Sequence, residues 1–197
     1  MRSMVKAATI LGVLACCVVH ADPTLMLIPS PDIAGAPGET IGWGYSITND
    51  TTFYLLVDSS NFCGVGGDPA FTDCTTPYDP PFEFGPSYGT YQDYIASNLT
   101  IIAPLSTASE SFDSTLMTGV GAYMIDPAAP MGAIDIGNVF VSYQEFNGDP
   151  LSGGTQASGD IEMSSPASVM VVPEPVTLAL TGWGLLALGW ARRRSRK

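Results

Sequence analysis

The sequence predicts an all-β protein whose central region folds as a single sandwich of two sheets. Short stretches rich in β-branched and aromatic residues alternate with clusters of Gly, Pro, Asn and Asp, which is typical of strands joined by turns. Residues 41–49 give the clearest strand, because apolar side chains occupy every second position from Ile41 to Ile47. No stretch of the central region has the pattern of a long amphipathic helix. Residues 22–172, about 150 in all, suffice for one domain with its own core.

Other segments with strand-like composition follow along the chain. We expect strands at 25–28, 52–57, 99–102, 112–117, 120–125, 138–146, 161–163 and 167–172. Segment 58–94 is rich in Gly, Pro and Asp and is predicted to be a long insertion.

The opening of the central region resembles that of exported immunoglobulin-like sandwiches. It has a turn at 36–40, the alternating strand, Thr48-Asn49 and a second turn. The resemblance implies a single immunoglobulin-like β-sandwich over residues 22–172, with a long Gly/Pro/Asp-rich loop.

The charge of this region is one-sided. All seven Lys and Arg residues and the single histidine, His20, lie in the first 21 or the last six residues. Residues 22–172 carry 18 of the 19 acidic residues, all but Glu174, so their formal charge is −18. Nucleic-acid binding needs Lys and Arg against phosphates, and we expect none here. Anionic lipids and acidic polysaccharides are disfavoured unless divalent cations bridge them.

Residues 1–21 have the features of a secretory signal peptide. Arg2 and Lys6 are followed by an apolar region at 7–19, and cleavage after Ala21 would leave Asp22 as the first residue. An alternative is a lipoprotein signal ending at Cys16, but its Leu is misplaced and the apolar run continues beyond the cysteine. We therefore expect export.

The last 25 residues, 173–197, have three parts in order. Pro173, Glu174 and Pro175 come first, and residues 176–191 follow without a charge. As a helix, that run would be about 24 Å long, short against a hydrocarbon core of about 30 Å but extended by flanking side chains. A basic cluster of Arg192, Arg193, Arg194, Arg196 and Lys197 ends the chain. The pattern predicts a transmembrane helix at 176–191 with the basic tail 192–197 in the cytoplasm and the preceding domain outside.

This three-part arrangement resembles the PEP-CTERM sorting signal of Gram-negative bacteria. The resemblance implies that an exosortase recognises the tail and that the chain is processed near Pro173-Glu174-Pro175. It also implies transient anchoring in the inner membrane, with the domain in the periplasm, followed by transfer to the cell surface or extracellular matrix. Proteins with this signal often accompany exopolysaccharide, which makes a polysaccharide a candidate partner.

Cys63 and Cys74 are the cysteines that remain after signal removal, and in an exported protein they predict a disulfide. The alternative, a metal site built on the two thiolates, lacks a histidine or further cysteine to complete it. The bond would close a short loop, worth about 3 kcal/mol in the chain-entropy model.

Most kinds of active site need a histidine, lysine or arginine, which residues 22–172 lack. We therefore predict a non-enzymatic protein without a cofactor. A less favoured alternative is a small glycosidase, which needs two carboxylates at a suitable separation. Structural calcium is another possibility, since carboxylate oxygens are the ligands that calcium prefers. The spacing of the acidic residues is not that of an EF-hand. The candidate ligands are Asp68, Asp73, Asp79, Asp149 and Asp160.

Six aromatic residues are concentrated within the predicted insertion. They are Tyr78, Phe82, Phe84, Tyr88, Tyr91 and Tyr94. Rings of this kind stack on sugars, so a carbohydrate-binding module is an alternative function. The competing interpretation is that the rings pack over one end of a sheet.

Overall fold

The computed structural model describes residues 21–64 and 88–174, together with 180, 182 and 183 in the tail. The first two ranges form β1 (Thr24–Ile28), β2 (Asp32–Gly35), β3 (Thr40–Asn49), β4 (Tyr54–Gly64), β5 (Gly89–Asp93), β6 (Thr100–Ile102), β7 (Ser106–Glu110), β8 (Gly121–Ile125), β9 (Ile134–Asn147), β10 (Thr155–Gln156) and β11 (Ile161–Val171). Single 3-10 turns lie at Ile95–Ser97 and Pro150–Ser152. The all-β prediction is confirmed for these ranges, whereas the predicted signal helix lies outside the described residues.

The strands form two sheets. The first has the order β1-β3-β8-β5, and β7 joins it by pairing with the second half of β3. The second has the order β2-β11-β9-β4-β6, with β10 against the end of β9. Neighbours are antiparallel except β2 and β11, which run in the same direction. The domain is therefore a two-layered sandwich.

Strand β3 is central in the first sheet, and its glycines permit this. β8 pairs with Thr40–Trp43 and β7 with Tyr45–Asn49, so two strands share one edge of β3. The change of partner occurs at Gly44, where a Cβ would overlap the carbonyl oxygen of Glu110. The Gly-Trp-Gly-Tyr stretch therefore combines inward aromatic rings with close backbone packing.

The core between the sheets is centred on Phe62, which is 1% exposed. Its ring stacks on Trp43 at a centroid distance of 5.7 Å and meets Tyr123 edge-on at 5.8 Å. Alternate residues of β9, including Val139 and Val141, complete the packing from the second sheet. Aromatic pairs of this kind contribute about 0.5–1.5 kcal/mol each beyond the area that they bury.

Asn49 joins the sheets at one end of this core. It is fully buried at the end of β3, and its Nδ2 donates to the carbonyl oxygens of Phe53, Ile102 and Ala103 at 2.8, 3.3 and 3.0 Å. Its Oδ1 accepts from both N and Oγ1 of Thr51, at 3.0 and 2.7 Å. The amide thus supplies hydrogen-bond partners to backbone carbonyl and N–H groups where the chain crosses from the first sheet to the second.

The long strands define two ends of the sandwich. One end, here called the exit end, holds Gly35, Gly64, Ile134 and Val171, because β2, β4 and β11 finish there and β9 begins there. The opposite end, here called the far end, is where β4 and β11 begin and β9 finishes. The chain therefore leaves its last strand at the exit end.

Two of the predicted segments, 112–117 and 58–94, are wrong in detail. Segment 112–117 is a loop closed by a bridge between Asp113 and Thr118, because Phe112 stacks on Tyr94 at 6.1 Å instead of joining a ladder. The strand that pairs in that region is β7, immediately before it. The insertion predicted at 58–94 is shorter, since residues 58–64 belong to β4 and residues 89–93 to β5.

The two predicted closing strands are one continuous strand, β11. Pro166 lies in its middle, opposite Asn138. The N–H of Ser168 points toward β2, where it donates to the Pro31 carbonyl at 3.0 Å. By alternation the nitrogen of Pro166 points to the same side, but β2 begins only opposite Ser168. The proline therefore removes no ladder hydrogen bond, which explains why it does not interrupt the strand.

Candidate functional site

A partly buried polar cluster links the two sheets at Ser60. The serine Oγ lies 2.7 Å from both Asp93 Oδ1 and the Val120 carbonyl oxygen, and 2.9 Å from the Tyr91 hydroxyl. Tyr91 also donates to the Val120 carbonyl at 3.2 Å, and burial raises the pKa of this tyrosine. Asp93 Oδ1 accepts two further bonds from the backbone N–H groups of residues 95 and 96. Since Oδ1 of Asp93 accepts from the Ser60 hydroxyl and from two backbone N–H groups, the cluster fits a cross-link between the sheets better than a nucleophile with its base.

A second buried group lies at the exit end, around Asp135. This side chain is 5% exposed on the inward face of β9. It accepts a short hydrogen bond from the Tyr123 hydroxyl and another from the Tyr88 N–H at 3.0 Å. Burial, followed by the hydrogen bond and charge of Asp135, raises the pKa of Tyr123. Asp135 therefore links β9 of the second sheet to β8 and to the residue before β5 in the first sheet.

One pair of carboxylates is joined by a shared amide on the outer face of the second sheet. Gln144 Nε2 donates to Asp160 Oδ1 at 2.7 Å and to Asp58 Oδ2 at 3.4 Å. The two oxygens are therefore no more than about 6 Å apart, which is below the separation of about 6.5–9.5 Å in inverting glycosidases. Burial, and then the charge of Asp160, raise the pKa of Asp58.

The position of this pair argues against sugar cleavage. Asp58 occupies the bulge where the register of β4 shifts against β9, and Asp160 directly precedes β11. The Gln144 amide donates to both carboxylates and lies between them. Within 21–64 and 88–174, no group of three or more His, Cys, Asp or Glu residues is placed to hold a metal ion.

The described aromatic residues of the predicted sugar-stacking set are used in packing. Tyr94 is 4% exposed and stacks on Phe112, while Tyr91 packs near Phe62 at a centroid distance of 6.5 Å. Tyr88 is half-buried against the same core. These three rings do not form an exposed platform. The stacking hypothesis therefore depends on Tyr78, Phe82 and Phe84, which lie outside the described residues.

The predicted processing and disulfide residues are described in part. Ala21 and Asp22 are exposed ahead of β1, and Pro173 and Glu174 are exposed after β11. Cys63 is disulfide-bonded, but Cys74 lies outside the described residues, so their pairing stays a prediction. Pro175 and the basic cluster 192–197 also lie outside them, as do Asp68, Asp73 and Asp79.

A shallow apolar groove lies on the outer face of the second sheet at the exit end, and sequence reasoning missed it. It encloses about 680 Å³ and runs between β2, β11 and the start of β9. We call five of its exposed members the exit-end patch: Ala34, Ile134, Ile136, Pro166 and Met170. The signal that could have revealed it is the alternation of Ile134 and Ile136 with the buried Asp135 and Gly137, which inverts the usual arrangement of apolar and polar faces.

No family model matches the chain, and no curated protein matches it. The part of the tail that is described, residues 180, 182 and 183, is helical. Among all described residues, no helix has the length and apolar character needed to cross a membrane.

Proposed function

We propose that this is an exported, non-enzymatic protein of the cell surface or extracellular matrix, sorted through a C-terminal PEP-CTERM signal. The observation that carries the proposal is the point at which the folded domain ends. Val171 is 2% exposed and is the last core residue, and the N–H of Val172 makes a final bond to the Gly35 carbonyl at 2.9 Å. Pro173 and Glu174 follow at once and are exposed. A cut beside the Pro-Glu-Pro segment would therefore leave the domain whole.

Export is supported by the covalent chemistry of the domain. Cys63 is disulfide-bonded, and disulfides persist in oxidising compartments outside the cytoplasm. The formal charge of −18 over residues 22–172 favours solubility and disfavours self-association once the domain is released.

The strand order supports an immunoglobulin-like fold for this domain. In that fold, strands A, B, E and D form one sheet and strands G, F and C form the other. β1, β3, β8 and β5 match the first set in space, and β11, β9 and β4 match the second. The chain departs from the pattern in the middle, because β5 precedes β6 along the sequence although β6 lies beside β4. The fold carries no activity by itself.

The partners follow from the sorting route. The signal peptide would engage the secretion machinery, residues 176–191 would hold the chain in the inner membrane, and an exosortase would act at Pro173-Glu174-Pro175. A polysaccharide of the surface layer is the candidate partner of the released domain.

Intact-mass analysis of the protein from its native host tests the proposal. We expect a species that begins at Asp22 and lacks 192–197. A matched variant in which Arg192, Arg193, Arg194 and Arg196 are replaced by Gln should accumulate unprocessed, while replacing the exposed Asp126 by Asn should change nothing beyond its own mass. A mature protein that retains Lys197 would contradict the proposal.

A further inference from the structure

The exit-end patch is apolar and open to solvent. Ile134, Ile136 and Met170 are 43%, 60% and 42% exposed, although they lie in paired strands whose other face is buried. Ile134 lies opposite Met170 in the ladder, so the three side chains are neighbours on one surface. An exposed apolar surface of this kind can serve as a contact with a partner or a membrane.

The patch lies beside the point where the chain leaves the domain. Met170 is followed by Val171, and only residues 172–175 separate that strand end from the uncharged run 176–191. From Met170 to Val176, six residues further on, the extended chain reaches at most about 22 Å. If the run is in a bilayer, as the proposed function requires, the patch is held within that distance of the lipid surface. A short tether of this kind gives a second contact a high effective concentration.

The charge near the patch restricts the type of lipid. The carboxylate beside it, Asp32, accepts a hydrogen bond from Ser168 Oγ at 2.7 Å. Residues 21–64 and 88–174 contain acidic residues but neither Lys nor Arg. Anionic lipid headgroups would therefore repel the domain, whereas zwitterionic headgroups would not.

We propose that, while the tail anchors the chain, the exit-end patch rests on the surface of a zwitterionic lipid bilayer. This rests on the proposed function, since it needs the tail in the membrane. The contact orients the sandwich with the second sheet leaning toward the lipid. Pro173 and Glu174, which follow the patch, are then held at the interface, where a membrane-embedded peptidase can reach them.

The native methionines supply a test that leaves the fold unchanged. The chain from Asp22 to Lys197 is placed in phosphatidylcholine nanodiscs at one chain per disc. It is then exposed to brief hydroxyl-radical oxidation, and sulfoxide formation is read by mass spectrometry. Met170 reports on the patch. Met124 is 50% exposed at the exit end on the outer face of the first sheet, and Met26 is 68% exposed on the same sheet, so both are internal controls.

We expect oxidation of Met170 to be slowed about fivefold or more in discs relative to the released domain, because a tethered apolar contact is populated most of the time. Met26 and Met124 should keep their rates. Ile136→Asp should restore the rate at Met170 while the chain still co-migrates with discs. Leu151→Asp, at an 84% exposed position far from the patch, is the matched control and should change nothing.

The other outcomes separate this proposal from the one that it rests on. Co-migration with discs but an unprotected Met170 would overturn the lipid contact and leave the sorting proposal standing. Protection only in discs that hold two chains would assign the patch to a second copy, and protection that requires anionic phosphatidylglycerol would refute the charge argument. A chain that does not co-migrate with discs would overturn both proposals.

Discussion

Replacing Asn49 by Ala should be among the most damaging single changes in the described part of the domain. The side chain makes five hydrogen bonds, three as donor and two as acceptor, while fully buried between the sheets. A buried polar group that loses its partner carries the cost of its own desolvation. The Thr51 N–H, which points at Asn49 Oδ1, would be left in that position.

The magnitude can be worked from the contacts. At about 1 kcal/mol net for each hydrogen bond, losing all five would cost about 5 kcal/mol. Two acceptors keep a second donor, because Phe53 O also accepts from Thr51 Oγ1 and Ala103 O from Ser106 Oγ. We therefore expect Asn49→Ala to lower the free energy of unfolding by about 3 to 4 kcal/mol.

Asn49→Asp sharpens the test because it keeps the shape and the acceptor. It turns the donor into a second oxygen that faces three carbonyl oxygens, so ionisation is disfavoured in the fold and the folded-state pKa of the new carboxyl lies above its unfolded value. Its penalty is therefore largest at neutral pH and decreases as pH falls through the folded pKa toward about 4.

Urea denaturation of residues 22–172 supplies the assay, with the fluorescence of the buried Trp43 as the signal. With a denaturant slope of about 2 kcal/mol per molar, Asn49→Ala should lower the midpoint by about 1.5 to 2 M. Asn98→Ala is the control, because that side chain is exposed and its amide donates one bond, to Met117 O at 3.0 Å. Equal midpoints for the two variants would refute the reasoning.

Other predictions concern charge and covalent structure. Asp58→Asn should raise the melting temperature at pH 7, because a raised folded-state pKa makes the ionised carboxylate beside Asp160 destabilising; the gain should vanish below the ordinary value of 3.8, and a gain independent of pH would contradict this. Thiol titration of the unfolded, unreduced domain should find Cys63 and Cys74 blocked, and two free thiols would rule out their bond. Added salt should raise the melting temperature by screening the repulsion between the acidic side chains. A larger rise in calcium chloride than in sodium chloride at equal ionic strength would indicate a calcium site. No rise in either salt would show that this repulsion does not limit stability. Above pH 10 the domain should lose stability, because burial and then Glu145 raise the pKa of Tyr143 to about 12; a melting temperature that stays unchanged between pH 10 and 12 would contradict this.

The sequence predicted the parts of the fold in which local pattern and tertiary position agree. The alternation through Trp43 and Tyr45 identified β3 and its inward face, and Val139 and Val141 did the same for β9. Segment 106–110 was missed because Ser-Thr-Ala-Ser-Glu has little apolar character, and its strand depends on pairing with β3.

The candidate sites were harder to predict because they depend on contacts between distant residues. Asn49 is predicted to initiate a turn, and only the crossing of the chain between sheets turns its amide into a buried junction. Asp58 and Asp160 are brought together by Gln144, and nothing in their spacing signals it. Ile136 is apolar but faces solvent, whereas its hydrophobicity alone would assign its side chain to the core.

The parallel pairing of β2 with β11 has a mechanical consequence. The two strands lie near opposite ends of the domain's chain, and Asp32–Gly35 runs alongside Ser168–Val171 in the same direction. A pull on Asp22 and on Glu174 loads the pairing of β1 with β3 and, beyond β1, draws β2 and β11 past each other lengthwise. The bonds from Ser168 N to Pro31 O and from Val172 N to Gly35 O are then loaded together, whereas peeling would break them in turn. When one terminus is fixed and flow acts on the rest, we expect this short parallel ladder, together with the β1–β3 ladder, to resist the opening of the sandwich.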